Sequence, residues 1–242
     1  MGSAGKTDAY RSFLHGEGEI KTQWRFGAAP SYDVVNKLFE QGRTKIWPEG
    51  SIEETVQNLV KTWEMEMFHK KRAQDIKSID THKYTFNLNG RKALNLKEIG
   101  ESGGGYNPLL QTSLPDKYRS YNPDVENYES SHVAFTTAFP RGFAVEVIQV
   151  YSGPPKIAYK FRHWGIMEGP FTGHAPTGEM VQFYGIGIFE VDDKMKLTKV
   201  ELFYDPGELL GGLLRGPSLN LEATSNVEEQ PSLNCPFLRN TG

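Results

Sequence analysis

The stretch Phe161–Leu214 reads FRHWGIMEGPFTGHAPTGEMVQFYGIGIFEVDDKMKLTKVELFYDPGELLGGLL, and its pattern decides the fold. Residues up to Trp164 close an aromatic-rich strand, and a glycine–proline loop follows. Val181–Val191 and Leu197–Tyr204 then form two long strands joined by Asp192-Asp193-Lys194. Both are rich in β-branched and aromatic residues, and so short a turn implies antiparallel neighbours. Gly185 and Gly187 lie two apart and therefore share a face, where glycine permits a sharp bend or the close approach of another group. Asp205-Pro206-Gly207-Glu208 reads as a helix start, with acid at the N-cap, proline at N1 and glutamate at N3.

Working upstream, Phe143–Val150 and Ile157–Trp164 are two further strands linked by Ser152-Gly153-Pro154-Pro155. Tyr159, Phe161 and His163 share one face of the second, and Lys160, Arg162 and Trp164 share the other. A short helix from about Ser131 to Phe139 stops before Pro140. Earlier still, Ser31 is placed to cap a helix from about Tyr32 to Gln41, with Gly42 just past its end. Ser51 begins a second helix and Glu54 completes a capping box. Ile52, Val56, Leu59, Val60, Trp63 and Met67 fall at helical spacing and predict an apolar stripe that faces the sheet. Between Ile79 and Tyr128 the pattern weakens. Tyr84–Leu88 is a candidate strand with Asn89-Gly90 as its turn. Gly103-Gly104-Gly105 lacks the spacing of a phosphate loop and reads as a flexible hinge.

Composition bounds the function. The chain has 242 residues, 38% hydrophobic and 12% aromatic, which supports a packed core. A net charge of −3, from 27 basic and 30 acidic side chains, gives no pull toward nucleic acid. The run His69–Arg72 is the densest basic segment and suits the C-terminus of a helix. One cysteine, Cys235, excludes an internal disulfide. No run approaches the ~20 apolar residues of a membrane span, and the amino terminus lacks a signal-peptide core. A cytoplasmic protein is the expectation. Residues 1–9 are small and polar, a loose lead. The stretch 10–217 is one domain, and 218–242 is a polar, mobile tail.

Candidate chemistry gathers at strand ends. His163 and Asp205 each close an aromatic-rich strand, where desolvation would tune a proton acceptor. His174 sits in the Gly173–Gly178 loop. Neither a nucleophile elbow nor metal-ligand spacing is present, so no metal and no cofactor are expected.

The segment Phe161–Leu214 resembles the second half of the SnoaL-like proteins, a branch of the nuclear transport factor two-like superfamily. The resemblance implies an α+β cone, with a curved antiparallel sheet packed on the N-terminal helices and open at a mouth. A closer resemblance, to the plant pathogen-related protein family, is carried by His15–Glu19, Lys61–Met67, Ala138–Ala144, Val150–Pro155 and Lys160–Gly165. It spans roughly Tyr10 to Pro217 and implies a setting in plant defence, with no defined reaction. From the cone, Trp63, Met67, Tyr159, Phe161, His163, Phe203 and Tyr204 are expected to line a ligand site. The position of Asp205 resembles that of the general base of SnoaL-type cyclases, with His163 as a second candidate catalytic group. Three functions stay open. The first is a cofactor-free binder of a small apolar metabolite, terpenoid- or polyketide-like, that holds or delivers an intermediate, including to membrane-bound oxidising enzymes. The second is a cyclase, isomerase or dehydratase working through Asp205. The third is an interaction module pairing as a homodimer through the outer sheet face.

Overall fold

The computed structural model describes residues 8–219. The expectations for 1–7, and for the tail from 220 onward with Cys235, lie outside the described residues. Asp8 is held by Asn36, which donates to its carboxylate at 2.7 Å. At the other end the backbone N–H of Leu219 donates to the Gly173 carbonyl at 2.7 Å.

Among the described residues five α-helices and six strands follow one another in the order α1 (Asp33–Gly42), α2 (Ile52–His69), β1 (Thr85–Leu88), β2 (Leu94–Asn95), α3 (Leu96–Glu101), α4 (Tyr128–Ala138), β3 (Ala144–Ser152), β4 (Lys156–Ile166), β5 (Met180–Val191), β6 (Leu197–Tyr204) and α5 (Pro206–Leu213). The strands form one curved, unclosed sheet in the order β2-β1-β6-β5-β4-β3. The α+β architecture expected from sequence is thus present. The four long strands pair as antiparallel neighbours. One pairing departs from that expectation: β1 runs parallel to β6. Short turns imply antiparallel partners, but β1 reaches β6 from more than a hundred residues away, and no local rule governs its direction.

Capping explains most helix ends. The Ser51 hydroxyl accepts from the Glu54 N–H at 3.2 Å, while the Glu54 carboxylate accepts from Gly50 N–H rather than from Ser51. The start of α1 corrects the expected cap: Tyr32 stands at the N-cap, and Ser31 reaches only the Asp33 N–H at 3.4 Å. The expected stripe of α2 is buried at Val56, Val60 and Trp63 but exposed at Ile52. Each fully buried side chain of this kind stabilises by roughly 1.5–3 kcal/mol. The Gly103–Gly105 segment is no open hinge. All three glycines have positive φ, and a Cβ on Gly104 would lie 1.8 Å from Tyr128 Cε2, so the turn is packed against α4.

Register sorts the sheet into two faces. Val147, Phe161, Gly185 and Tyr204 form one cross-strand row, and Tyr159, Gly187 and Leu202 the next. A Cβ on Gly185 would meet the Phe161 ring at 2.4 Å, and one on Gly187 the Tyr159 ring at 2.3 Å. These glycines leave room for aromatic rings lying across the strand. This inner face receives α2. The opposite face is covered where α1 and the segment after it meet β3 and β4. There Phe39 packs on Trp164, and Glu146 accepts from the Thr44 and Lys45 N–H groups. Elsewhere that outer face is open, with Tyr184 and Phe203 exposed.

Candidate functional site

A cavity of about 600 Å³ lies between the inner face of the sheet and the helices. Val145 (β3), Phe161 and His163 (β4), Phe183 (β5), and Leu202 and Tyr204 (β6) form the sheet wall. Lys61, Trp63, Glu64 and Phe68 of α2 form the facing wall, with Leu209 of α5 and Tyr106, Leu109 and Leu110 beside them. The segment Phe139–Phe143 after α4, and residues Arg11, Phe26, Ala28–Tyr32, Val34 and Val35 from the N-terminal part, complete the enclosure. Most of these side chains are apolar.

The polar exceptions converge from distant segments. His163 Nε2 lies 2.9 Å from Glu64 Oε1, linking β4 to α2. The imidazole stacks against Phe143 and Phe183, each with centroids 5.3 Å apart. A carboxylate only accepts, so Nε2 carries the proton of this contact, and in the neutral form of the ring the lone pair lies on Nδ1. That Nδ1 is buried with no hydrogen-bond partner among the described residues. One helical turn before Glu64, Lys61 also lines the cavity and is 1% exposed. Its ammonium nitrogen lies 3.0 Å from the Phe39 ring centroid and 4.1 Å from that of Tyr10. Burial, followed by repulsion from Arg11, pulls the Lys61 pKa down from its ordinary value to about 6. On another side His69 and His132 line the cavity, with Phe26 stacked 3.9 Å from His132. Burial, followed by the neighbouring His132, lowers His69 to about 4. Burial raises the Tyr204 phenol, whose hydroxyl donates to the Leu109 carbonyl at 2.5 Å.

The residues singled out from sequence are placed unequally. Trp63, Phe161, His163 and Tyr204 line the cavity. Met67 instead borders a much smaller cavity of about 30 Å³ beside Tyr84 and Phe86. Tyr159 is on the inner face but buried beneath the cavity wall, packed on Phe189. Phe203 is displaced from the expected wall: it pairs with Ile186 on the outer face and is 39% exposed. Tyr204 and Phe203 alternate, so only one of them can face inward. Asp205 is likewise outside the cavity. It is exposed, and its Oδ1 accepts from the Gly207 N–H at 2.8 Å, capping α5. His174 donates through Nδ1 to the Gly216 carbonyl at 2.9 Å. His163, His174 and Asp205 therefore have separate engagements. Among the described residues no group of three His, Cys, Asp or Glu is placed to hold a metal ion. Lys61 and Glu64 were not legible as site residues. Their one signal is that they lie three residues apart and therefore share a helix face.

A Hordeum vulgare protein named pathogen-related protein is 52% identical to this chain over 242 residues, covering 99% of each. No protein-family model matches the chain. Among solved structures, a proposed SnoaL-like polyketide cyclase from Jannaschia is 16% identical, covering 71% of this chain and 100% of its own, with a TM-score of 0.38. A Catenulispora acidiphila protein with a ketosteroid isomerase-like fold is 7% identical, covering 64% of this chain and 90% of its own, at a TM-score of 0.34.

Proposed function

The chain belongs to the pathogen-related protein family, and from that premise we propose that it is a cofactor-free binder of a small, largely apolar metabolite in plant defence. The observation that carries this reading is the cavity of about 600 Å³ walled by Trp63, Phe143, Phe161, Phe183 and Leu202. Small-molecule sites typically measure roughly 300–1,000 Å³, with a few polar groups that orient the ligand. Here Lys61, Glu64 and His163 supply those groups. A terpenoid- or polyketide-like compound, with an apolar body and one or two oxygens, has the matching chemistry. The protein would hold or deliver such an intermediate.

The test is a titration of folded protein with a panel of such compounds, read by tryptophan emission, since Trp63 lines the cavity. Saturable quenching is expected. Val145→Phe fills space at the wall and should weaken binding about 10-fold or more, at a stability cost of about 1–3 kcal/mol. Saturable binding indifferent to that substitution would place the ligand elsewhere and overturn the reading.

A second reading, proton transfer, is favoured by the 2.9 Å His163–Glu64 contact in the cavity wall. His163 would be the base and Glu64 the group that orients it. Turnover of a bound compound, reduced about 100-fold in Glu64→Gln, would replace binding with catalysis as the function.

A further inference from the structure

Helix α2 and the residue that caps its C-terminus bury two lysines, Lys61 and Lys70, in different ways. Lys70 Nζ donates to Glu19 Oε2 and Glu66 Oε1 at 2.8 Å each and to the Asp75 carbonyl at 3.0 Å, which uses all three of its protons. Lys61, as deeply buried, makes no hydrogen bond and no ion pair among the described residues. The faces of Phe39 and Tyr10 meet its nitrogen. The charged groups around it are Arg11, Glu64, Asp8 and Glu40, and they carry both signs. An uncompensated buried ammonium is costly, and the cost falls when the amine is neutral. A neutral amine in the wall of an apolar cavity is a nucleophile.

We propose that Lys61 forms a Schiff base with an aldehyde or ketone held in the cavity, so that carbonyl-bearing apolar metabolites are captured covalently and reversibly. Such a bond presupposes that the cavity holds a metabolite, the reading proposed above. The Lys61 lone pair attacks the carbonyl carbon, and the carbonyl π pair moves to oxygen. The nitrogen loses a proton and the oxygen gains one, giving a carbinolamine. The nitrogen lone pair then forms the C=N bond as the hydroxyl leaves with a further proton as water. The imine nitrogen gives up its remaining proton to complete the exchange. No electrons are gained or lost overall, and hydrolysis returns amine and carbonyl. Glu64 stands one helical turn from Lys61 on α2, and His163, 2.9 Å from its carboxylate, faces it from the sheet wall of the same cavity, as candidates for the water-forming proton transfers. The ordinary lysine pKa leaves exposed lysines almost wholly protonated near neutral pH, whereas Lys61, at about 6, is mostly neutral there.

The test uses geranial and trans-cinnamaldehyde on the full chain near neutral pH, with cyanoborohydride to reduce any imine, followed by peptide mass spectrometry. The expected product is Lys61 carrying the aldehyde less its oxygen. Labelling should exceed that of exposed lysines such as Lys97 by about 10-fold or more. Urea should abolish the excess in the wild-type chain, and Lys97→Arg should leave it unchanged. Geraniol and cinnamyl alcohol, which cannot form an imine, are titrated in parallel by tryptophan emission. Alcohols that bind without preferential labelling of Lys61 would overturn the covalent step and leave the binding reading standing. If neither alcohols nor aldehydes bind, both fall. An excess that persists in urea would show that the fold does not activate Lys61.

Discussion

Asp205 follows β6, and its carboxylate holds the Gly207 N–H at 2.8 Å, satisfying one of the free donors at the start of α5. The role needs a short acceptor and not a charge. Asp205→Asn should therefore melt within a few tenths of a kcal/mol of wild type, whereas Asp205→Ala should lose about 1 kcal/mol. Ligand binding should survive in both. If the folded Asn variant lost binding or turnover, Asp205 would have a chemical role reaching beyond the cap. At this scale the sequence was informative about caps, because capping depends on neighbours within four positions. It was uninformative about Lys61, whose burial under Phe39 and Tyr10 depends on how α1 and the N-terminal segment fold back.

Strands β4 and β5 show how an element is shaped by one residue type. Tyr159 and Phe161 lie across Gly187 and Gly185 on the facing strand, which bear no side chain to obstruct them. The rings fill space that would otherwise be a gap, and Phe161 goes on to line the cavity. Gly187→Ala puts a Cβ within 2.3 Å of the Tyr159 ring and should cost about 1–3 kcal/mol in thermal or urea unfolding. In a double-mutant cycle with Tyr159→Leu, the combined loss should be smaller than the sum of the single losses, because the clash is shared. Additive losses would show that Gly187 serves bending rather than the ring. Alternation along β4 was readable, since side chains change face at every residue. Which of the two faces would be enclosed was not.

Across the whole molecule, a buried charge network ties the N-terminal segment to α2. Lys70 bridges Glu19 and Glu66, and Lys77 reaches Glu19 at 2.5 Å. Glu66, fully buried, also accepts from the N–H groups of Lys77 and Ser78. Lys70→Met would leave the Glu66 carboxylate buried without its cation and Glu19 with Lys77 alone, and should destabilise by about 3–5 kcal/mol. The network also carries a pH dependence. Burial by itself raises the Glu19 carboxyl, but hydrogen bonds from Lys70 and Lys77 outweigh it, and the net pKa lies below the ordinary 4.5. A depressed carboxyl stabilises fully above its unfolded value, and that stability is lost as pH falls through the folded value. Unfolding followed from neutral pH downward should therefore show stability falling below about pH 4.5. The fall should be shallower in Lys70→Met. An equal slope in the two proteins would assign the acid sensitivity to other carboxylates. The basic run His69–Arg72 did end a helix as its composition suggested, but the burial of Lys70 came from partners 51 and 5 positions away.

What the sequence by itself determined here is local and periodic. The locations of β3 to β6, the caps at Ser51 and Asp205 and the face shared by Tyr159, Phe161 and His163 follow from steric and hydrogen-bonding rules that act over a few residues. Tertiary structure alone decided the parallel entry of β1 beside β6 and the outward turn of Phe203. It also decided the meeting of His163 with Glu64, 99 positions apart, and the enclosure of Lys61 in the same wall. The reason is physical. Alternation fixes which side chains travel together, but the sign of that face is set by the helices and loops that cover it. Those are brought there by register and packing between segments distant in the chain.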